Sequence, residues 1–224
     1  MNHNRAGAIL LAIVVSPTSN ILRRTFRISG SAPGTGFLVH RGGATFIVTA
    51  DHLVAGLVIG DPVTLYDGAA PIGTFPYRPL PTLPVDVTVL QFDQQGWAED
   101  ELPIELSSDG SIMGGDVYLL GFPFHFHTPG HASIGMAVPL IRKGILSGRW
   151  QISGAENVNR WFIDAFPHPG FSGGPVVWMK EANRPQVIGV ITSGHDDERV
   201  EPFGLTEAID IRVAVTAIDR WNGR

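Results

Sequence analysis

The chain has 224 residues, a formal net charge of −5, no cysteine, and a composition that is 44% hydrophobic and 17% charged. These values exclude a disordered chain, a disulfide scaffold, thiol catalysis and a cysteine-based metal centre, and they leave no global positive field for nucleic acid or an anionic lipid surface. Glycine and proline make up about a fifth of the residues, short of the roughly 25–30% that marks low complexity, so stability rests on packing.

In chain order, the first feature is the apolar run Ala6–Val15, which follows Arg5 and ends at Ser16-Pro17. It is too short for a transmembrane helix, which needs about 20 apolar residues, so no membrane span is expected. The stretch Ala8–Val15 reads as a buried first strand. An export signal is the weaker reading, because no small-residue cleavage site follows before Arg23-Arg24; this favours a cytoplasmic protein. Further along, short apolar and β-branched runs recur between glycine, proline and aspartate punctuation, which is an all-β pattern. Strands are predicted at Thr25–Ser29, Gly36–His40, Thr45–Thr49, Pro62–Tyr66, Val87–Phe92, Val117–Gly121, Val138–Leu146, Trp161–Asp164, Pro175–Trp178, Gln186–Thr192 and Gly204–Glu207. Only Ile211, Val215, Ile218 and Trp221 recur at helical spacing, so a short helix closes the chain. The polar, acidic stretch Gln94–Gly115 reads as the connection between two β-rich halves, 1–106 and 107–224.

Three segments carry chemistry. Phe46–His52 is an apolar strand ending in a turn with a histidine; alone, His52 reads as a surface or capping residue. In Pro84–Leu90 a carboxylate opens an apolar strand, and Asp86 alone reads as a turn residue. In Pro169-Gly170-Phe171-Ser172-Gly173-Gly174-Pro175 a serine is hemmed in by three glycines, which permit unusual backbone angles and close approach of a ligand to main-chain N–H groups. Together they supply an alcohol nucleophile, an imidazole to take its proton and a carboxylate to hold the imidazole tautomer.

In this order the segments resemble the chymotrypsin/trypsin-like serine endopeptidases, in particular the bacterial Deg-type and stand-alone trypsin-like forms. Gly34-Thr35-Gly36-Phe37 is similar to their G-x-G-F strand, Thr49-Ala50-Asp51-His52 to T-A-x-H, Asp86-Val87-Thr88-Val89-Leu90 to the aspartate strand, and Gly170–Pro175 to G-x-S-G-G-P. The resemblance covers nearly the whole chain. It implies two six-stranded antiparallel β-barrels with the active site between them. His52 and Asp86 come from the first barrel and Ser172 from the second, and the backbone N–H groups of Gly170 and Ser172 form an oxyanion hole. It further implies that Thr192-Ser193-Gly194 pairs with a substrate strand and that Phe166 stands where Lys/Arg-selective members carry an acid. A small or medium apolar P1 residue is therefore expected rather than a basic one. Phe171 occupies the place of the aspartate that zymogen members use for activation, so activation by a freed N-terminus is not expected. The partner is a protein or peptide substrate, with no metal or organic cofactor, and no peptide-binding PDZ module is expected after the helix.

Competing readings are weaker. Gly170-Phe171-Ser172-Gly173-Gly174 also fits the G-x-S-x-G elbow of α/β-hydrolases, but there the serine precedes the acid and the histidine and follows several βαβ units. His125, His127 and His131 form a histidine-rich stretch that reads as a solvated loop rather than a metal site, and His195-Asp196-Asp197-Glu198 as a polar loop rather than a calcium site. His168 is read as a cleft-lining residue at most. The alternative from another class is a protease-like module that holds a peptide without turnover.

Overall fold

The computed structural model describes residues 19–93, 104–126, 128, 137–155, 157–166, 168–181, 184–192 and 204–223. The predicted first strand, Ala8–Val15, lies outside these residues. The described chain opens with a one-turn helix, α1 (Ser19–Arg23), whose Ile21 and Leu22 are buried. The strands β1 (Thr25–Ser29), β2 (Pro33–Arg41), β3 (Ala44–Thr49), β4 (Pro62–Asp67), β5 (Ala70–Pro76) and β6 (Thr88–Phe92) follow. They form one sheet in the order β5-β4-β1-β2-β3-β6, and every pairing is antiparallel. The segment that follows β5 folds back on the β6 edge through the bridge Pro79 to Leu90, flanked by Leu80 N–H to Val89 O (2.8 Å) and Gln91 N–H to Arg78 O (3.0 Å). This half-barrel closes less completely than the barrel the sequence led us to expect.

The second sheet contains β7 (Glu105–Leu106), β8 (Asp116–Gly121), β9 (Leu140–Gln151), β10 (Asn159–Asp164), β11 (Pro175–Glu181), β12 (Arg184–Ile191) and β13 (Leu205–Asp210). Its order is β11-β8-β9-β10-β13-β12-β7, and an additional β11–β12 pairing closes six of these strands into a barrel. The two residues of β7 add in parallel to β12. Helix α2 (Arg212–Asn222) ends the chain with Val213, Ala214, Ala217 and Ile218 buried. No helix among the described residues is long and apolar enough to cross a membrane.

Three clusters of apolar side chains hold these parts. One fills the first half-barrel around Phe26, Ile28, Leu38, Ile47, Leu65 and Leu90. A second fills the closed barrel around Leu119, Leu146, Trp161, Ile163 and Ile188. The third is shared: Phe37, Val48, Val87 and Val89 from the first sheet pack with Leu120, Val177, Val190 and Ile209 from the second and with α2. A strand with both faces covered reads as a continuous apolar run, which is why Phe46–Val48 and Val87–Leu90 lack alternation. The shared core joins the two halves, and the candidate site sits where they meet.

Candidate active site

His52 lies in a 3₁₀ turn, Asp51–Leu53, directly after β3, with Val54 N–H bonded to Asp51 O at 3.0 Å. Asp86 lies at the entry to β6, where consecutive tight turns, Val85 N–H to Leu83 O (2.8 Å) and Val87 N–H to Val85 O (2.7 Å), set its carboxylate toward β3. Strands β3 and β6 are neighbours in register, Thr49 opposite Thr88, so residues just beyond their adjacent ends meet although far apart in sequence. The Asp86 carboxylate accepts from His52 Nδ1 at 2.8 Å and 3.1 Å and from the His52 backbone N–H at 2.9 Å.

Burial works to raise the Asp86 pKa, but the His52 ring, the backbone N–H groups of His52 and Asp51, and the imidazole charge outweigh it, and the carboxyl sits below its ordinary value of 3.8. Asp86 is therefore ionised at neutral pH and can only accept, so the proton between the two groups belongs to Nδ1 and the neutral ring carries its lone pair on Nε2. Beside this pair, burial and the Asp86 charge raise the Asp51 pKa, partly offset by His52, and burial and Asp51 raise that of Tyr77.

Ser172 comes from the turn preceding β11 in the second sheet and is 9% exposed. The turn is pressed against the first sheet. Thr35 N–H on β2 donates to Ser172 O at 2.8 Å. Gly173, at φ +83°, leaves no room for a side chain: an added Cβ would stand 2.0 Å from Thr35 O and 2.3 Å from Thr49 Oγ1. Thr49 is three residues before His52, and this close approach brings the serine turn beside the histidine turn. The Ser172 hydroxyl makes no hydrogen bond among the described residues, so the structure joins His52 to Asp86 but does not close the contact from Ser172 to His52. Such contacts often form only when substrate is bound.

The turn's backbone is accounted for almost completely. The carbonyl of His168 accepts from Phe171 N–H (3.2 Å), that of Pro169 from Phe124 N–H (3.4 Å) and that of Phe171 from Gly174 N–H (2.9 Å), while Gly173 N–H donates to Ile191 O (2.7 Å). The carbonyl of Gly170 accepts from Thr35 Oγ1 at 2.6 Å. The N–H groups of Gly170 and Ser172 have no acceptor among the described residues. Gly170 holds φ +97°, with Phe122 O only 2.6 Å from where a Cβ would stand, so glycine alone fits this turn without strain.

Phe166 is 56% exposed, its ring 5.6 Å from that of His168, which in turn lies 6.1 Å from Phe124, itself at φ +50°. Thr192 is buried and its N–H donates to Glu207 O at 3.0 Å, so it belongs to the β12–β13 pairing. Ser193 and Gly194, the remaining predicted substrate-pairing residues, lie outside the described residues, as do His127, His131 and His195–Glu198. Among the described residues no group of three or more His, Cys, Asp or Glu side chains is arranged to hold a metal ion. Two contributors were not singled out by the sequence: Thr35, noted only as the variable position between Gly34 and Gly36, and Phe124. A threonine between two strand glycines was the available signal for the first; the second had none.

A six-stranded barrel joined to a half-barrel, with an acid–imidazole pair on one side and a glycine-flanked serine on the other, defines a hydrolase of the chymotrypsin type. A trypsin-like peptidase domain model matches residues 34–190, and the chain belongs to that family of serine endopeptidases. Among solved structures, an inactive form of the Rv3671c protease of M. tuberculosis is similar at TM-score 0.60 and 20% identity over 89% of each chain. The HtrA-type protease AlgW, solved with a tripeptide, is similar at TM-score 0.62 and 20% identity, with 91% of this chain and 63% of that chain covered. At these identities the likeness is one of fold, and the present chain spans about three fifths of AlgW. No curated protein matches by sequence.

Proposed function

We propose that this protease works through Ser172, His52 and Asp86. The observation that carries the reading is the Asp86 carboxylate on His52 Nδ1, which leaves Nε2 as the ring's basic atom. Ser172 Oγ attacks the scissile carbonyl carbon while its proton passes to His52 Nε2, and Asp86 stabilises the imidazolium. The tetrahedral oxyanion is held by the N–H groups of Gly170 and Ser172, the two in the turn without an internal acceptor, each worth about 2.7–4 kcal/mol in the transition state. Collapse expels the amine, which takes the imidazolium proton, and leaves an acyl-serine. Water, deprotonated by His52, then releases the acid and restores Ser172 Oγ–H.

The substrate is a protein or peptide whose extended backbone pairs along Thr192-Ser193-Gly194 as an added strand. Phe166 favours an apolar P1 residue over a basic one. With Phe171 before the serine, the enzyme is active without N-terminal trimming. The unit divides near residue 106, each half supplying part of the machinery.

Fluorophosphonate labelling tests the assignment, because the reagent reports an activated serine. Wild-type protein labels at a single site and Ser172→Ala does not. Folded wild-type protein that fails to label, or labelling of the alanine variant at the wild-type rate, removes the catalytic assignment; the first outcome replaces it with a peptide-holding module.

A further inference from the structure

Thr35 is fully buried on β2 of the first half-barrel, yet most of its polar bonds are to the second half. Its backbone N–H donates to Ser172 O (2.8 Å) and its hydroxyl donates to Gly170 O (2.6 Å). The same hydroxyl accepts from Phe122 N–H at 3.0 Å, just after β8. Its own carbonyl accepts from Thr49 Oγ1 at 2.7 Å and forms part of the wall that confines Gly173. A hydroxyl that donates one bond and accepts another is locked about its Cβ–Oγ axis, so the group acts as a fixed donor to the serine loop and a fixed acceptor for the segment after β8.

We infer that Thr35 is a positioning residue for the oxyanion hole. The inference rests on the assignment of Gly170 and Ser172 N–H as that hole. The peptide joining Gly170 to Phe171 has two polar handles. Its N–H reaches His168 O over 3.2 Å, which is long, whereas its carbonyl is held by Thr35 at 2.6 Å. The Thr35 bond is thus the stronger restraint on a peptide that glycine makes easy to rotate. Without the hydroxyl, Gly170 O and Phe122 N–H both lose a buried partner, and rotation of the peptide toward solvent re-satisfies the carbonyl at the expense of the Gly170 conformation. Because the restraint comes from the opposite half of the molecule, docking of the halves and assembly of the hole are the same event.

The experiment compares wild type, Thr35→Val and Thr35→Ser by the saturable kinetics of fluorophosphonate labelling and by hydrolysis of fluorescein-casein, with circular dichroism to verify folding. Valine keeps the shape and removes the hydroxyl; serine keeps the hydroxyl. Misplacement of the donors lowers the maximal labelling rate and the casein rate of Thr35→Val by roughly 10²-fold, with the half-saturating reagent concentration unchanged, while Thr35→Ser stays within about threefold of wild type. Wild-type labelling together with an unchanged maximal rate in folded Thr35→Val overturns the role of Thr35 and leaves the serine assignment standing. Wild type that does not label overturns both. If valine prevents folding, the serine variant decides: folded Thr35→Ser with a rate lowered as much as 10²-fold overturns the inference, and full activity supports it.

Discussion

At the scale of single residues, the His52–Asp86 pair shows how an ordinary turn aspartate becomes a functional group. The carboxylate is half-buried, which alone would push its pKa up, yet it accepts from the His52 ring and from backbone N–H groups, and the net shift is downward from 3.8. A folded-state pKa below the unfolded one means that the stabilisation is complete above the unfolded value and is lost as pH falls through the lowered one. The melting-temperature difference between wild type and Asp86→Asn is therefore expected to shrink as pH falls below about 4, as measured by thermal scans between pH 5 and pH 2. A difference that keeps growing below pH 4 contradicts the pairing. For catalysis, Asp86→Asn removes the acceptor that fixes the ring tautomer, and kcat is expected to fall by roughly 10⁴-fold while KM changes little. These residues were legible in the sequence as a set and ambiguous one by one. Thr35 was harder to see, because its importance lies in partners more than eighty positions away.

At the scale of elements, each of the eleven strands predicted from Thr25 onward overlaps a strand of the structure, whether both of its faces are covered, as in β3 and β6, or one, as in β4 and β9. The misses have physical causes. Strand β5 contains two prolines and a glycine and buries only Phe75, so it lacks the alternation a half-buried strand shows; as the edge of its sheet it can carry proline. Strand β9 runs five residues past its predicted end, through Ser147-Gly148-Arg149-Trp150-Gln151, because pairing with β10 rather than burial sustains it there. Helix α1 is one turn long, too short for a periodicity to be read. Helix α2 was predicted from its stripe, but not what starts it. Asp210, with no surface exposed, accepts from Arg212 N–H (3.0 Å), Ser108 Oγ (2.9 Å) and Asn159 Nδ2 (3.3 Å). Burial raises its pKa despite those bonds and the Arg212 charge. Replacing Asp210 with alanine strands these donors, and a loss on the order of 3 kcal/mol is expected in a guanidinium unfolding titration. Labelling at Ser172 is expected to persist below the new midpoint, because none of these partners belongs to the serine or histidine turn. An unchanged midpoint sinks the idea that Asp210 anchors the helix.

At the scale of the molecule, α2 leaves the second sheet and reaches back to the first. Trp221 meets Phe46 edge to face at 5.3 Å, and Arg41 forms a two-point ion pair with Asp219 at 2.6 Å and 2.9 Å. The two contacts differ in worth. Arg41 and Asp219 are 39% and 50% exposed, and an exposed pair contributes about 0–1 kcal/mol. The ring contact adds burial to a favourable geometry, on the order of 2 kcal/mol. Trp221→Ala is therefore expected to lower the melting temperature by several degrees and Arg41→Ala hardly at all; the reverse order in differential scanning calorimetry would show that charge, not packing, fastens the helix.

The order of a histidine, an aspartate and a glycine-flanked serine along an all-β chain indicated the class of enzyme through its resemblance to the trypsin-like endopeptidases, because nucleophilic catalysis requires those residue types and glycine spacing leaves a mark in one dimension. What the sequence could not determine is how the two halves are joined: one barrel closes and the other stays a half-barrel, and Thr35 reaches across the seam to hold the turn that carries Ser172. Closure and seam depend on backbone carbonyl and N–H groups, which every residue except proline carries alike, so only their placement in space reveals which of them are paired.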